Sequence, residues 1–273
     1  MVNRIRKKLS HLFHPIQGEI WCLHRVVDKR SDYPSNRELE ITTDYLEDLI
    51  FKQIAEGYRF VSIDTLLKER SIFPPKRINI SFDDGFKDIY TDAFPVFKKL
   101  SIPFTIYLTT DFPEGKADIW WIQLEMITGV EEFERLMKDI YGDSKPMAEK
   151  MHELTGTIPD LELCKSLSLS WGEIQEMVES GLCTIGSHTV SHQGLTRISP
   201  DKCRYELRES KRIIKERTGI DAVHFSYPHS MQDDAVRKDV FEAGYVSATL
   251  GYGGSIRRGD DMHLLNRKYI TQE

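Results

Sequence analysis

Two hydrophobic rhythms succeed one another along most of the chain. Short apolar runs bounded by turn residues read as buried strands: Ile20-Trp21-Cys22-Leu23, Phe60-Val61-Ser62-Ile63, the alternating Ile78, Ile80 and Phe82, and Pro103 to Leu108. Leu46, Leu49, Ile50 and Ile54 recur at helical spacing, which predicts a helix opened near Thr43 and closed at Gly57. The rhythm returns near residue 170, where Ser170-Trp171-Gly172-Glu173 has the form of a capping box and predicts a helix ended by Gly181. Leu182 to Gly186 follows as a strand, and Ser199-Pro200 opens a charged helix running to Gly219. Val223 to Tyr227 and Tyr245 to Leu250 are further strands. Repeated strand–helix units imply an α/β fold with a parallel sheet, open or closed into a barrel. From about 111 to 169 the pattern is mixed. That stretch predicts a helical insertion beside the main domain, too poor in apolar residues for a core of its own.

Composition narrows this picture. A length of 273 residues suits one barrel over 19–273 with its insertion, preceded by a distinct segment over 1–18. Lys and Arg total 37 against 43 Asp and Glu, a net charge of −6 that predicts no nucleic-acid partner. The N-terminal segment departs from that balance, with Arg4, Arg6, Lys7 and Lys8 beside Ile5, Leu9, Leu12 and Phe13. A short helix in peripheral contact with an anionic membrane fits this pattern, and a helix packed on the domain fits it equally. Polar residues and Pro15 interrupt what a secretion signal would keep apolar, so the expected location is cytoplasmic, with peripheral membrane contact through this segment left open. Cys22, Cys164, Cys183 and Cys203 show no paired spacing and are expected to be reduced thiols.

In parallel strand–helix folds, chemistry gathers at the C-terminal ends of strands. The strand Ile78 to Phe82 runs into Asp83-Asp84-Gly85, two carboxylates whose repulsion calls for a cation, a proton or open water. The strand Leu182 to Gly186 empties into His188-Thr189-Val190-Ser191-His192, whose imidazoles, four apart on a helical turn, would present nitrogens to one point. One carboxylate with two histidines makes a metal site with open positions for water, and the spare carboxylate can act as base. On the residues alone, two unrelated polar turns fit as well.

Ser81-Phe82-Asp83-Asp84-Gly85 and His188-Thr189-Val190-Ser191-His192 together resemble the two main motifs of the polysaccharide deacetylases with NodB homology (carbohydrate esterase family 4), and within it the exopolysaccharide-type branch. The resemblance implies a distorted (β/α) barrel with fewer than eight strands and a divalent metal, commonly zinc, held by Asp84, His188 and His192. It implies Asp83 as catalytic base and an N-acetylated saccharide as substrate. Phe225-Ser226-Tyr227-Pro228-His229-Ser230 is similar to a third motif, which implies that the backbone N–H of His229 helps hold an oxyanion, with Tyr227 beside the pocket. Ser226 stands where many members carry an arginine that orients the base. His24, in a segment resembling the early Tyr-His motif of the exopolysaccharide branch, is the preferred general acid, with His263 as the alternative. Trp120-Trp121 would stack on a sugar face or anchor the insertion. Three activities remain open: N-deacetylation, hydrolysis of a formamide or cyclic amide, and glycan binding without catalysis.

Overall fold

The computed structural model describes residues 15–68 and 76–273, so most of the basic segment expected over 1–18 lies outside the described residues. The strands are β1 (Ile16–Leu23), β2 (Arg25–Val27), β3 (Glu40–Thr42), β4 (Arg59–Phe60), β5 (Arg77–Asp84), β6 (Phe104–Leu108), β7 (Cys183–Ser187), β8 (His224–Ser226), β9 (Ser247–Gly253), β10 (Ile256–Arg257) and β11 (Leu265–Tyr269). Seven of these run parallel and close in the order β1-β5-β6-β7-β8-β9-β11, with β1 joining β5 on one side and β11 on the other. This is a distorted barrel with fewer than eight strands. Its seams are uneven: β1 and β5 pair over five residues, whereas β7 and β8 meet at the single pair Ser187 and Phe225.

The strand β5 shows how alternation divides packing from chemistry. Ile80 and Phe82 face outward into a cluster with Phe97 and Phe104 beneath the surrounding helices. Ser81 and Asp83 face the barrel interior, where both accept hydrogen bonds from Arg267. All eight residues of β5 are buried, as expected for a strand covered on both faces.

The helix Thr43–Ala55 and the helix Pro200–Thr218 form where periodicity predicts them, and the capping box of the helix Trp171–Glu179 is complete, with Ser170 and Glu173 bonding reciprocally. Two expectations need correction. Only Arg59–Phe60 is strand in the apolar run near residue 60, because Ile63 opens the short helix Ile63–Lys68. The insertion does bury a cluster of its own: its helices Trp120–Ile127, Val130–Gly142 and Met147–Thr155 pack Trp120, Leu124, Phe133, Leu136, Ile140, Met147 and Met151 together. Its apolar residues are sparse but spaced to share one face. The closing strand β11 carried no recognisable pattern, since only two of its five residues are buried.

Candidate active site

The loops after β1, β5, β7 and β8 converge on one cavity of about 560 Å³ at the C-terminal end of the barrel, within the roughly 300–1,000 Å³ usual for small-molecule sites. His24, Asp83, Asp84, His188, His192, Tyr227 and His229 all line it. Backbone conformation explains how side chains from such different loops meet. Of six non-glycine residues with positive φ among those described, five lie here: Asp84, Thr189, His192, His229 and Ser230. Left-handed conformations cost a non-glycine residue energy, and their concentration at one site is the pattern of a pre-organised centre. In an extended strand Asp84 would point away from Asp83; its φ of 74° turns the chain so that both carboxylates reach the cavity. Gly85 follows with φ 118°, and a Cβ there would fall 2.6 Å from Leu108 Cδ1.

His188 and His192 converge without the helical turn expected from their spacing. The segment 188–194 is irregular, and its shape is fixed by Glu206 on the helix Pro200–Thr218. That buried carboxylate accepts hydrogen bonds from the Val190 N–H at 2.8 Å, the Ser191 N–H at 3.0 Å and the Ser191 hydroxyl at 2.7 Å. The other side of the loop is stitched to the root of the insertion, where the Thr110 and Asp111 N–H groups donate to the Thr189 and Val190 carbonyls. Replacing Glu206 by alanine is expected to lower stability by about 3 kcal/mol through loss of bonds to a charged acceptor. Thermal unfolding would measure this; an unchanged midpoint would remove Glu206 from the support of the loop.

The geometry of the three candidate ligands is compact. His192 Nε2 lies 3.2 Å and His188 Nε2 3.6 Å from Asp84 Oδ1, and one donor atom from each residue lies within 4.8 Å of the others. His188 Nδ1 lies 2.7 Å from the Ser226 carbonyl, to which it donates, leaving Nε2 free toward Asp84. Burial, opposed by Asp83, lowers the His188 imidazole to about 4, so it is neutral at neutral pH, the form that binds metals. Asp84 Oδ1 is buried without a hydrogen-bond partner. Burial pushes Asp84 up, but His192, His24 and His188 outweigh it and the carboxyl is held below its usual range.

Asp83 has a different environment, and here the structure supplies a residue that motif reading missed. Arg267, only 1% exposed, donates from Nη1 to Asp83 Oδ1 at 2.7 Å and from Nη2 to Oδ2 at 2.5 Å. It also donates to the Ser226 hydroxyl, which in turn donates to Asp83 Oδ2. An arginine from the last strand therefore contacts both Asp83 and the Ser226 that stands at the third-motif position. Burial raises Asp83, but the charge of Arg267, then His188, the Arg267 hydrogen bonds and His24 more than offset it, and the carboxyl is lowered. Cys22, His24 and Asp83 form a second cluster of metal-binding type. Arg267 already provides the cation there, and burial pushes the Cys22 thiol far up.

The remaining expected residues separate clearly. His24 lines the cavity with its buried Nδ1 unpartnered and its ring 5.5 Å from that of Tyr269; burial lowers its pKa against the pull of Asp84 and Asp83. His263 is not among the cavity-lining residues: its Nε2 is 2.9 Å from the Tyr245 carbonyl and its ring packs on Phe241, which corrects its place as alternative acid. The Tyr227 hydroxyl donates to the His263 carbonyl, so only the Tyr227 ring faces the cavity wall. Both tryptophans line the cavity: Trp120 is buried in the insertion, and half-buried Trp121 lies 4.6 Å from the His192 ring. The four cysteines are free.

Comparison with known proteins follows the same lines. A family model described as polysaccharide deacetylase matches residues 70–248. The Bacillus subtilis protein YxkH, which carries a polysaccharide deacetylase name, is 23% identical over 260 residues, 94% of this chain and 72% of its own. The poly-β-1,6-N-acetyl-D-glucosamine N-deacetylase of Staphylococcus epidermidis is 30% identical over 174 residues, 60% of this chain and 56% of its own. The Streptococcus pyogenes deacetylase PplD, solved in complex with acetate, shares the fold with a TM-score of 0.68 at 20% identity, covering 93% of this chain and 92% of that one. Matched across the stretch that carries both carboxylates, both histidines and Ser226, the chain belongs to the polysaccharide deacetylase family.

Proposed function

We propose that this protein is a metal-dependent N-deacetylase acting on N-acetylated sugar units of a polysaccharide or its precursor. One observation carries the reading: an ionised carboxylate, Asp83, is clamped by Arg267 beside an Asp84–His188–His192 cluster in a single cavity. The residues fit a divalent cation. Asp84 Oδ1 is buried and unpartnered, His188 is oriented by the Ser226 carbonyl, and a set of two imidazoles and one carboxylate suits zinc with positions left open. When bound, such an ion supplies Lewis-acid polarisation of the acyl carbonyl and acidifies water.

The chain's own groups perform the proton transfers. Asp83, ionised at neutral pH, takes the proton of the attacking water, and the Arg267 clamp keeps its carboxylate from turning away. His24, with a ring nitrogen within 4.8 Å of an Asp83 carboxylate oxygen, supplies a proton to the departing amine; burial keeps the free imidazole neutral, so it takes that proton from Asp83 during the reaction. Trp121 at the wall offers a flat face to the sugar. The products are acetate and an amino sugar. The named activity of the Staphylococcus epidermidis relative supports a β-linked N-acetylglucosamine unit as the first substrate to test.

Acetate release from N-acetylglucosamine oligomers is expected to disappear with a chelator and return with zinc. His188→Ala is expected to lower it at least about 10²-fold, the order lost when one polarising element is removed. Wild-type rates in the chelated protein or in this variant would overturn the reading.

A further inference from the structure

The third-motif loop holds a donor that the backbone expectation overlooked. His229 sits at φ 54°, a conformation that histidine tolerates better than most side chains. Its ring stands 4.6 Å from that of His192 and packs edge-on against Trp121 and Tyr141. Nδ1 lies 3.3 Å from the Tyr141 hydroxyl, contributed by the insertion helix Val130–Gly142. Nε2 is shut off from solvent in the cavity lining and has no partner. A neutral imidazole carries one hydrogen, on one nitrogen or the other. A phenol is a better donor than an imidazole N–H, and an imidazole nitrogen a better acceptor than a phenol oxygen. The Tyr141 hydroxyl therefore donates to Nδ1, and the ring hydrogen resides on the unpartnered Nε2.

We propose that the His229 Nε2–H donates to the acyl oxygen of the substrate, and that Tyr141 is the positioning residue that keeps the hydrogen on that nitrogen. The acyl-oxygen assignment rests on the deacetylase reading; the placement of the hydrogen does not. Buried, unpartnered and beside the His192 ligand, this donor meets the requirement for stabilising negative charge as it develops on oxygen. It also makes the insertion part of the reaction site, through Tyr141, in place of a mere cover.

The nitrogen-15 spectrum of the full chain's histidine side chains, recorded with and without zinc and assigned against His229→Gln, tests the placement. A pyrrole-type Nε2 and a pyridine-type Nδ1 are expected, with Tyr141→Phe producing a mixture of tautomers. A pyrrole-type Nδ1 in the wild type would make Nε2 a lone-pair acceptor and overturn the proposal. Acetate, titrated into the zinc-loaded protein, probes the second half. His229→Phe is expected to weaken its binding about tenfold, the worth of one hydrogen bond. His229→Gln, whose amide reaches about as far as Nε2, should restore most of it. Both substitutions carry the same left-handed strain, so equal weakening in the two would overturn the donor role. Should no saccharide yield acetate while these differences hold, the deacetylase reading falls and the donor stands.

Discussion

Arg267→Leu is expected to cost about 3–5 kcal/mol of stability, the penalty for breaking a buried ion pair by removing one partner. All five guanidinium N–H groups are committed in the barrel interior: Nε to the Leu250 carbonyl, Nη1 to Ser81 and Asp83, Nη2 to Asp83 and Ser226. Leucine leaves two adjacent buried carboxylates facing each other, with only imidazoles nearby. For a chain of this size the unfolding midpoint should fall roughly 10 °C. The pH dependence has a definite sign. Burial alone would raise Asp83, and Arg267 is the largest influence holding it down. In the wild type, Asp83 therefore contributes stability that is present above about pH 4, its unfolded value, and is lost as the pH falls through its lower folded value. Without Arg267 the acid limb of activity moves upward, because the buried base now protonates more readily. Arg267→Lys keeps the charge but not the two-pronged contact, and it should retain most of the stability while losing rate. Calorimetry and a pH–rate profile read these effects. An unchanged midpoint with an unmoved acid limb would show that Arg267 does not hold the base.

This residue also marks the limit of what the sequence could disclose. Asp83, Asp84, His188 and His192 were legible because each follows an apolar strand, and because their motifs are contiguous. The parallel α/β fold was legible for the same reason: strands such as Phe104–Leu108 are buried along their length. Arg267 lies in Leu265-Asn266-Arg267-Lys268-Tyr269, where it reads as one more surface cation beside Lys268. Its burial follows from barrel closure, which pairs β11 with β1 across most of the chain's length, a contact that no local pattern encodes. The same holds for Glu206, one of many charges on the helix Pro200–Thr218, yet 1% exposed and bound to the His188–His192 loop. The spacing of the two histidines did predict their convergence, but for the wrong reason. Left-handed residues at 189 and 192 bring the rings together where a helical turn was expected. His263 illustrates the converse: its sequence region was suggestive, but its ring turns to the Tyr245 carbonyl and away from the cavity.

Asp83→Asn is expected to lower acetate release about 10²- to 10⁴-fold, the range for loss of a positioned general base. The side chain keeps its shape, and its remaining carbonyl oxygen still accepts one hydrogen bond from Arg267, but it cannot take a proton from water. Arg267 then lacks a full counter-ion, so a stability loss accompanies the rate loss and the two must be separated. Rates measured well below the unfolding midpoint and normalised to bound zinc do this, because Asp84, His188 and His192 are untouched and zinc stoichiometry should remain that of the wild type. The pH profile gives a second separation. Wild-type activity should lose its base only well into the acid range, since Asp83 is held below its usual pKa by Arg267 and His188 against the effect of burial. The residual activity of the variant should lack that limb altogether, there being no carboxylate left at position 83 to titrate. A variant that kept its zinc, retained a rate within about threefold of wild type, a change of under 1 kcal/mol in barrier, and preserved the acid limb would show that another group takes the proton. Asp84, the neighbouring carboxylate, is held low by its histidines and turned toward them by its left-handed backbone. Under the proposed reading, its commitment to the cluster leaves the proton to Asp83.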